Sequence, residues 1–367
     1  MIHFVTTPDE VFTMEDYLSV RGAALTTRVR IVEYERLAEW TDLERGTYVL
    51  SALDQLSPGM LRLVEALVAQ LEGSDGVRFL NHPSRTLRRF PLLQTLSRLG
   101  RNEFRAERVT RDHQALRFPV FLRSERDHGG PVSPLLHSSR DVDTAIVRAL
   151  ARGFRLDELL VIEFCDTADA SGIVRKYGAF IVGESVIPKN LAVSRDWMVK
   201  RQGTEEGLEF IEENVAYVVS NPHREALAEI FQLAGVGYGR IDYAVKDGRI
   251  QTWEINLTPT IGQGIGKSSG HLPEALQRRR AVAREHFFLA FHEAWERIDS
   301  ISDGPPIPIT LDDRLRRDAL ARTEQRGLIG RVRAGLGPLD RVVKPLGVRA
   351  MPLLAALAKR ASRRRPE

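Results

Sequence analysis

The sequence predicts a mixed α/β fold: a small N-terminal α/β domain, a larger region of antiparallel strands and helices, and a basic C-terminal tail. Its length of 367 residues suits two or three structural units. Short apolar strands alternate with helical patterns up to residue 112, and paired strands with turn signals continue to about residue 300. We therefore expect domains at 1–112, 113–300 and 301–367.

The N-terminal domain combines short apolar runs, which suit strands, with two helical patterns. The first helix has Pro58 near its start and Gly73 just beyond its end. The second covers residues 86–100 and ends at Gly100, and Pro91 could break or kink it. The predicted strands are Val29–Val32, Tyr48–Ser51 and Val77–Leu80.

The middle region opens with RFPVFLRSERDHGG, residues 117–130, a strand pattern followed by a polar loop that ends in two glycines. A continuous apolar strand is expected at Leu159–Ile162, and a hairpin with Gly183-Glu184 at its turn is expected at residues 178–187. Residues 204–235 have the amphipathic spacing of helices. These helices lead directly into a second hairpin.

The second hairpin, GRIDYAVKDGRIQTWEINLTP at residues 239–259, has Asp247-Gly248 as its turn signal. A two-residue loop would place Asp242 opposite Trp253, and a three-residue loop would place it opposite Thr252. Only the three-residue loop separates an apolar face from a polar face, because a shift of one residue exchanges the two faces. We therefore expect the three-residue loop.

In that register Asp242, Glu254 and Asn256 lie on the same side of the hairpin. Carboxylate and amide oxygens are ligands that Mg²⁺ prefers. The sequence thus predicts a metal site on these three residues. The alternative is an exposed face whose charges are only solvated.

The pattern Arg240-x-Asp242, a turn, then Glu254-x-Asn256-x-x-Pro resembles the C-terminal metal-site signature of the ATP-grasp superfamily. Within that superfamily the sequence resembles carboxylate–amine or carboxylate–thiol ligases, such as ribosomal-protein glutamate ligases and D-alanine–D-alanine ligases. The resemblance implies an ATP-grasp fold with two lobes and a hinge near 163–169. It also implies that Asp242, Glu254 and Asn256 hold Mg²⁺, or Mn²⁺ in its place, at the ATP phosphates, with Arg240 near the transferred group.

The same resemblance implies further contacts to ATP. Lys176, or Arg175 beside it, would contact phosphate from the first hairpin, although two basic residues before a strand are commonly only solvated. Asp169 is an alternative to Asp166 for the ribose, and a plain hairpin loop is the alternative to the phosphate loop. The expected ATP-binding residues are Arg123, where the family often has Lys, Gly129 and Gly130 in the phosphate loop, Glu163, Phe164 and Cys165 in the hinge, Asp166 at the ribose, and Lys176.

The N-terminal domain resembles the small domain that precedes the ATP-grasp domain in such ligases and commonly contributes to the acceptor site. Its Asn81-His82-Pro83 resembles an Asn-x-Pro found near the end of that domain. An ordinary strand-to-helix turn is the alternative.

Composition narrows the class of protein. The single cysteine, Cys165, excludes an internal disulfide and suits a reducing cytosol. No signal peptide and no membrane span are expected, so we expect a cytoplasmic protein. Walker-type, zinc and nucleophile-elbow motifs are missing. The segment GQGIGKSSG at 262–270 contains Gly-Lys-Ser but lacks the first glycine of a Walker-type motif.

Charge separates the tail from the rest of the chain. Residues 311–367 contain 15 Lys/Arg and 6 Asp/Glu, a charge of +9, so the other residues carry −5 of the total of +4. We expect no nucleic-acid partner for the whole protein. The tail could attract an acidic partner or an anionic membrane surface, which would make the protein peripheral at a membrane. A short structural helix or a solubilising tail is the alternative.

The predicted function is ATP- and Mg²⁺-dependent activation of a small-molecule or peptide carboxylate as an acyl phosphate, followed by attack of an amine or another nucleophile. Arg240 and Lys176 are the expected catalytic residues. Two alternatives remain at this stage. One is a nucleotide-binding protein or phosphotransferase on the same fold, and the other is an interaction or membrane-surface module built on the tail.

Overall fold

The computed structural model describes residues 1–110, 115–126, 129–199, 205, 207–262, 272–299 and 304–320. The chain forms two compact units, one from Met1–Glu103 and Cys165–Arg316 and the other from Phe104–Phe164 and Arg317–Glu367. The glycine-rich segment 263–271 and residues 321–367, with the helix suggested near the C-terminus, lie outside the described residues. Each unit has its own sheets.

The first unit begins with a four-stranded parallel sheet in the order β2-β1-β4-β5. The three strands predicted in this domain are confirmed, and the N-terminal residues add a buried central strand that sequence analysis missed. Its strands are β1 (Ile2–Thr6), β2 (Val29–Glu33), β4 (Gly46–Leu50) and β5 (Val77–Leu80), and a small ribbon pairs β3 (Asp42–Leu43) with β13 (Ile307–Pro308).

Four helices accompany the parallel sheet, and local sequence explains the two that were predicted. The hydroxyl of Ser57 accepts a hydrogen bond from the backbone N–H of Met60 at 3.1 Å, and Pro58 occupies the first turn of α3. The next helix starts only two residues before Pro91, where proline causes no break. The helices are α1 (Phe12–Val20), α2 (Tyr34–Leu37), α3 (Pro58–Leu71) and α4 (Arg89–Arg98).

The second sheet of the first unit is antiparallel, in the order β10-β9-β11-β12. Both predicted hairpins are present, and the predicted helical region contains two helices. The strands are β9 (Val174–Val182), β10 (Ser185–Ser194), β11 (Tyr238–Lys246) and β12 (Arg249–Asn256), and the helices are α6 (Leu208–Ser220), α7 (Arg224–Ala234) and α8 (Glu274–Ile298). The expected mixed α/β fold with antiparallel sheets is thus confirmed.

Aromatic side chains of α8 connect the two sheets of the first unit. Phe291 packs edge-on against Tyr17 of α1 at 5.1 Å between ring centroids and against Phe180 of β9 at 5.2 Å. Trp295 contacts Phe4 of β1 at 6.1 Å and Tyr238 of β11 at 5.6 Å. Buried aromatic pairs of this kind add to the free energy gained from burial. The helix therefore fixes the parallel sheet relative to the antiparallel one.

The second unit has a three-stranded antiparallel sheet in the order β6-β8-β7, with one described helix against it. Its core contains Leu122, Val142, Ala149 and Val161. The elements are β6 (Ala106–Arg108), β7 (Val120–Ser124), α5 (Ser139–Ala151) and β8 (Leu159–Glu163). Within the described part of the chain, no helix has both the length and the apolar character to cross a membrane.

Acid should destabilise the first unit through His3, which is fully buried in β1 and stacked on Tyr48 at 4.3 Å. Burial lowers the pKa of His3 from 6.5 to about 4, and Glu44 opposes this shift. The unfolded chain therefore binds one more proton than the folded chain between these pH values, so stability falls as the pH falls from 6.5 to 4.

For wild-type protein, His3 should lower the free energy of unfolding by roughly 2 kcal/mol at pH 5 relative to pH 7.5. Urea unfolding at both pH values measures this difference. His3→Phe should remove that part of the pH dependence, whereas the exposed control His286→Phe should keep it. Equal pH dependence in wild-type protein and His3→Phe would contradict the assignment.

Candidate functional site

The turn of the β11–β12 hairpin contains two residues, so the predicted three-residue loop is wrong. Lys246 pairs directly with Arg249. Asp247 and Gly248 have φ values of 49° and 72°, both in the left-handed region. Such a turn matches the twist of the adjoining strands, and an Asp-Gly pair is well suited to it. Local turn geometry therefore decided the register at the end of the hairpin.

A β-bulge at Trp253 nevertheless brings the predicted residues together. Asp242 lies opposite Glu254, and Tyr243 lies opposite Thr252, so Trp253 is an extra residue in β12. An extra residue exchanges the faces of the strand beyond it. Asp242 and Glu254 thus share one face, whereas Thr252 lies on the other face beside Tyr243, opposite to expectation.

The two predicted catalytic residues meet at Asp242. The carboxylate of Asp242 is 2% exposed, and its oxygens lie 2.6 Å from Nζ of Lys176 and 2.9 Å from Nε of Arg240. Gly178 of β9 is opposite Asp242, so Lys176, two residues earlier, lies on the same face. This arrangement supplies two cations beside a buried carboxylate.

Glu254 is paired with a residue that sequence analysis missed. Its carboxylate forms a salt bridge with the guanidinium of Arg89, the first residue of α4, and the residues are 9% and 5% exposed. Arg89 lies on the buried stripe of α4 with Leu92 and Leu96. The sequence signal for Arg89 was its helical spacing with apolar residues, which predicts a buried position. A buried arginine is in turn expected to have an acidic partner.

Asn256 completes the predicted metal ligands. It lies opposite Arg240, and its Oδ1 accepts a hydrogen bond from the backbone N–H of Thr258 at 2.7 Å. An amide oxygen has a second lone pair, so this bond orients it without exhausting it. Two carboxylates and one amide oxygen on one face fit Mg²⁺, which usually takes one or two carboxylates and completes its shell with water and phosphate. Within the described residues no group of three or more His, Cys, Asp or Glu is placed to hold a metal.

A further lysine lies near this face. The half-buried Lys189 of β10 donates hydrogen bonds to the backbone carbonyls of Thr260 at 2.7 Å and Ile261 at 2.9 Å. Burial, and secondarily the charge of Arg240, lowers the pKa of Lys189 to about 7, while Asp242 opposes the shift. A lysine with this pKa is present in both protonation states near neutral pH.

Arg175 and its neighbour Lys176 have different partners: Arg175 forms salt bridges with Glu213 and Asp169, whereas Lys176 lies against Asp242. The guanidinium of Arg175 lies 2.6 Å from Glu213 and 2.5 Å from Asp169. The salt bridge to Arg175 holds Asp169 in the loop that precedes β9. Asp166 is exposed, and its Oδ1 accepts a hydrogen bond from the backbone N–H of Ala168 at 3.0 Å. The Sγ of Cys165 lies 3.9 Å from Oε1 of Gln251.

The remaining predicted ATP-binding residues belong to the second unit. Glu163 is 2% exposed, and its carboxylate accepts hydrogen bonds from Nε of Arg105 at 2.9 Å and from the backbone N–H of Arg117 at 2.7 Å. The backbone N–H of Phe164 donates to Pro119 at 2.9 Å. Arg123 lies on β7 opposite Leu160, and Gly129 and Gly130 lie in the loop that follows β7.

Asn81 has a structural role. It has a positive φ of 66°, and its side chain donates hydrogen bonds to the carbonyls of Leu50 and Tyr238. The same side chain accepts hydrogen bonds from the backbone N–H groups of Gly237 and Tyr238 at 2.9 and 3.0 Å. Asn81 thus joins the parallel sheet to the start of β11, as a buried polar group with its hydrogen bonds satisfied.

No protein-family model matches the sequence, and no curated protein matches it. Solved structures that are similar include a D-alanine–D-alanine ligase from Bacillus anthracis complexed with ATP, at 14% identity and a TM-score of 0.42, with 81% of this chain and 99% of that chain covered. The ATP-grasp ligase PsnB, complexed with a minimal precursor, has 13% identity and a TM-score of 0.45, with 79% and 99% covered. An L-amino acid ligase from Bacillus licheniformis has 12% identity and a TM-score of 0.38, with 78% and 73% covered. At these identities the matches carry no information on the substrate of this chain.

Removing the cation beside Glu254 should destabilise the first unit. Arg89→Met should lower the free energy of unfolding by about 3–5 kcal/mol, because a carboxylate then stays buried without its cation. Adding Glu254→Gln should recover part of that loss. Urea unfolding of both single variants and the double variant measures the coupling. The neighbouring control Arg88→Met should change stability by less than about 1 kcal/mol, and strictly additive single variants would contradict the pairing.

Proposed function

We propose that this protein is an ATP- and Mg²⁺-dependent ligase that activates a carboxylate as an acyl phosphate for attack by an amine or a thiol. The observation that carries the proposal is the single sheet face shared by Arg240, Asp242, Glu254 and Asn256. Sequence spacing resembled the ATP-grasp metal signature, and the bulge in β12 brings its members opposite one another.

Phosphoryl transfer depends mainly on positioning and on neutralising negative charge. Asp242, Glu254 and Asn256 would hold Mg²⁺, which when bound would supply charge neutralisation at the phosphates of ATP. Lys176 and Arg89 lie against the two carboxylates, and Lys176, whose side chain is 29% exposed, would contact a phosphate oxygen. This mixture of oxygen donors and cations suits the binding of a metal-bound nucleoside triphosphate. A purely structural role for these charges is the less favoured interpretation.

Arg240 has the best position to act at the acyl centre. Its guanidinium is oriented by Asp242 through bonds of 2.9 and 3.3 Å, so it need not reorganise when charge develops. Lys176 would screen the transferred phosphoryl group. The expected ATP contacts of Arg123, the Gly129-Gly130 loop and the segment Glu163–Asp166 stay predictions from the family resemblance.

We further propose that the substrates are a small-molecule or peptide carboxylate and an amine. Carboxylate-dependent formation of a hydroxamate from hydroxylamine distinguishes a ligase from a phosphotransferase, because only an activated acyl group reacts with hydroxylamine. A pool of L- and D-amino acids with Mg²⁺ and ATP is the first probe. Hydroxamate formation supports the ligase, and ADP release without hydroxamate supports the phosphotransferase.

Glu254→Gln and Asn256→Ala should each leave the protein folded and lower Mg²⁺–ATP turnover by at least about 10²-fold, because glutamine lacks the negative charge of the carboxylate and alanine lacks the amide oxygen. ADP release and circular dichroism measure the two outcomes. Glu184→Gln, an exposed change at the turn of the same sheet, is the matched control and should keep full turnover. Near-normal turnover in either site variant would exclude the metal assignment.

Millimolar ATP with Mg²⁺ should raise the melting temperature, since a ligand that binds only the folded state stabilises it by mass action. Differential scanning fluorimetry with ATP, with ATP plus a chelator, and with chelator alone separates nucleotide from metal. Glu254→Gln should show a smaller shift than wild-type protein. An unchanged melting temperature in wild-type protein would count against any nucleotide-dependent function.

A further inference from the structure

We propose that Lys189 is a positioning residue that orients the metal ligand Asn256 through the segment that follows β12. This inference rests on the proposed function, because it takes Asn256 as a ligand of the metal in Mg²⁺–ATP. It adds a residue that would touch neither the metal nor the nucleotide. Three observations carry it: the hydrogen bond that orients Asn256, the two anchors on either side of that bond, and the path of the segment across the sheet.

The amide of Asn256 is oriented by the backbone that follows it. Its Oδ1 accepts a hydrogen bond from the N–H of Thr258 at 2.7 Å, and the two residues are 9% and 6% exposed. The last torsion of an asparagine side chain has a broad range of favourable angles. The direction of Oδ1 therefore depends on where this N–H lies. Residues 257–261, called the crossing segment below, set the position of that N–H.

The first anchor of the crossing segment is the loop that follows β4 of the parallel sheet. The carbonyl of Leu257 accepts a hydrogen bond from the hydroxyl of Ser51 at 2.9 Å and another from the backbone N–H of Ala52 at 3.3 Å. Leu257 is 2% exposed and Ser51 is fully buried, so water does not compete for these bonds. They fix the residue directly before Thr258.

The second anchor is Lys189 of β10. Its Nζ donates hydrogen bonds to the carbonyls of Thr260 at 2.7 Å and Ile261 at 2.9 Å. The same nitrogen lies 5.1 Å from the ring centroid of Phe180 and 5.7 Å from that of Phe287. Ring faces attract a positive charge, and a lysine nitrogen has enough N–H donors to bind two carbonyls at once. Lys189 thus holds the far end of the crossing segment.

The crossing segment joins the two edges of the antiparallel sheet. These edges are β12 and β10, with β11 and β9 between them. Asn256 lies opposite Arg240, and Arg240 lies opposite Phe180, so the three residues form one row across the sheet. Nζ of Lys189 lies beside the ring of Phe180. The carbonyls bonded to Nζ therefore lie on the face that also carries Arg240, and the segment borders the candidate site.

The loss of the second anchor would reach Asn256 through the backbone. Without the lysine side chain, the carbonyls of Thr260 and Ile261 lose these donors, and Ile261 is 1% exposed. A buried carbonyl without a donor costs free energy, so the segment would move until other donors satisfy it. That movement would shift the N–H of Thr258, which lies between the two anchors. Groups that orient a metal ligand in this way typically contribute about 10–100-fold to metal affinity.

Isothermal titration calorimetry with ATP in excess Mg²⁺, and with ATP in chelator, separates a positioning role from a general structural one. Lys189→Met should weaken Mg²⁺–ATP binding by about 10-fold, and metal-free ATP binding by less than about threefold, because the change acts through a metal ligand. Lys189→Arg should restore Mg²⁺–ATP affinity, since the guanidinium keeps donors for both carbonyls. Lys246→Met, whose lysine pairs with Glu103 on the same sheet, is the control and should leave both affinities unchanged.

A double variant tests whether Lys189 acts through Asn256. In a protein that already carries Asn256→Ala, adding Lys189→Met should cause no further loss of Mg²⁺–ATP affinity, because the group that the lysine orients is gone. Losses that multiply would show an independent role and would contradict the inference. Ser51→Ala removes a donor of the first anchor. It should also weaken Mg²⁺–ATP binding and spare metal-free ATP binding.

The outcomes distinguish this inference from the proposed function. Equal weakening of ATP binding with and without Mg²⁺ in Lys189→Met would mean a general structural role, and full Mg²⁺–ATP affinity in that variant would mean no role. Either result overturns the inference and leaves the ligase proposal standing. Circular dichroism checks folding, and Lys189→Gln, with a shorter side chain, replaces Lys189→Met if the latter does not fold. If wild-type protein binds ATP equally well with and without Mg²⁺, the metal assignment itself fails, and the inference with it.

Discussion

The burial of two carboxylates, Asp242 and Glu254, on one face of a sheet is the constraint on which this structure depends. Removing a carboxylate from water costs several kcal/mol unless a cation and hydrogen bonds replace the solvent. The cations come from three places in the first unit. Lys176 belongs to a neighbouring strand, Arg240 to the same strand as Asp242, and Arg89 to a helix of the N-terminal segment. The parts that satisfy these charges are thereby also the parts that form the candidate site.

The same sheet face changes from polar to aromatic over a short distance. Arg240 lies opposite Phe180, and Phe180 packs against Phe287 of α8 at 5.5 Å. The aromatic part joins the two sheets of the unit, while the polar part remains suited to a charged ligand. Lys189 lies where these two environments meet. Its Nζ lies 5.1 Å from the ring centroid of Phe180, and the charges of Arg240 and Asp242 shift its pKa in opposite directions.

Residue spacing predicted that Arg240, Asp242, Glu254 and Asn256 share one face of the hairpin, and the family resemblance added Lys176. The Arg-x-Asp and Glu-x-Asn pairs lie on one face as predicted, although the turn has two residues and not the predicted three. Two local features compensate for one another, namely the two-residue turn at Asp247-Gly248 and the bulge at Trp253. A bulge depends on packing on both sides of a strand, so alternation of residue types in a single segment cannot reveal it.

The amino-acid order was sufficient for the mixed α/β class, for the hairpins and amphipathic helices, and for the residue types of the candidate site, because these depend on periodicity and on short-range spacing. Tertiary structure decided which cations reach the carboxylates. Arg89 is 165 residues from Glu254 along the chain. Lys189 of β10 donates hydrogen bonds to the carbonyls of Thr260 and Ile261, which follow β12. Such contacts arise only when distant segments pack, since burial and charge pairing are properties of the folded arrangement and not of any local sequence pattern.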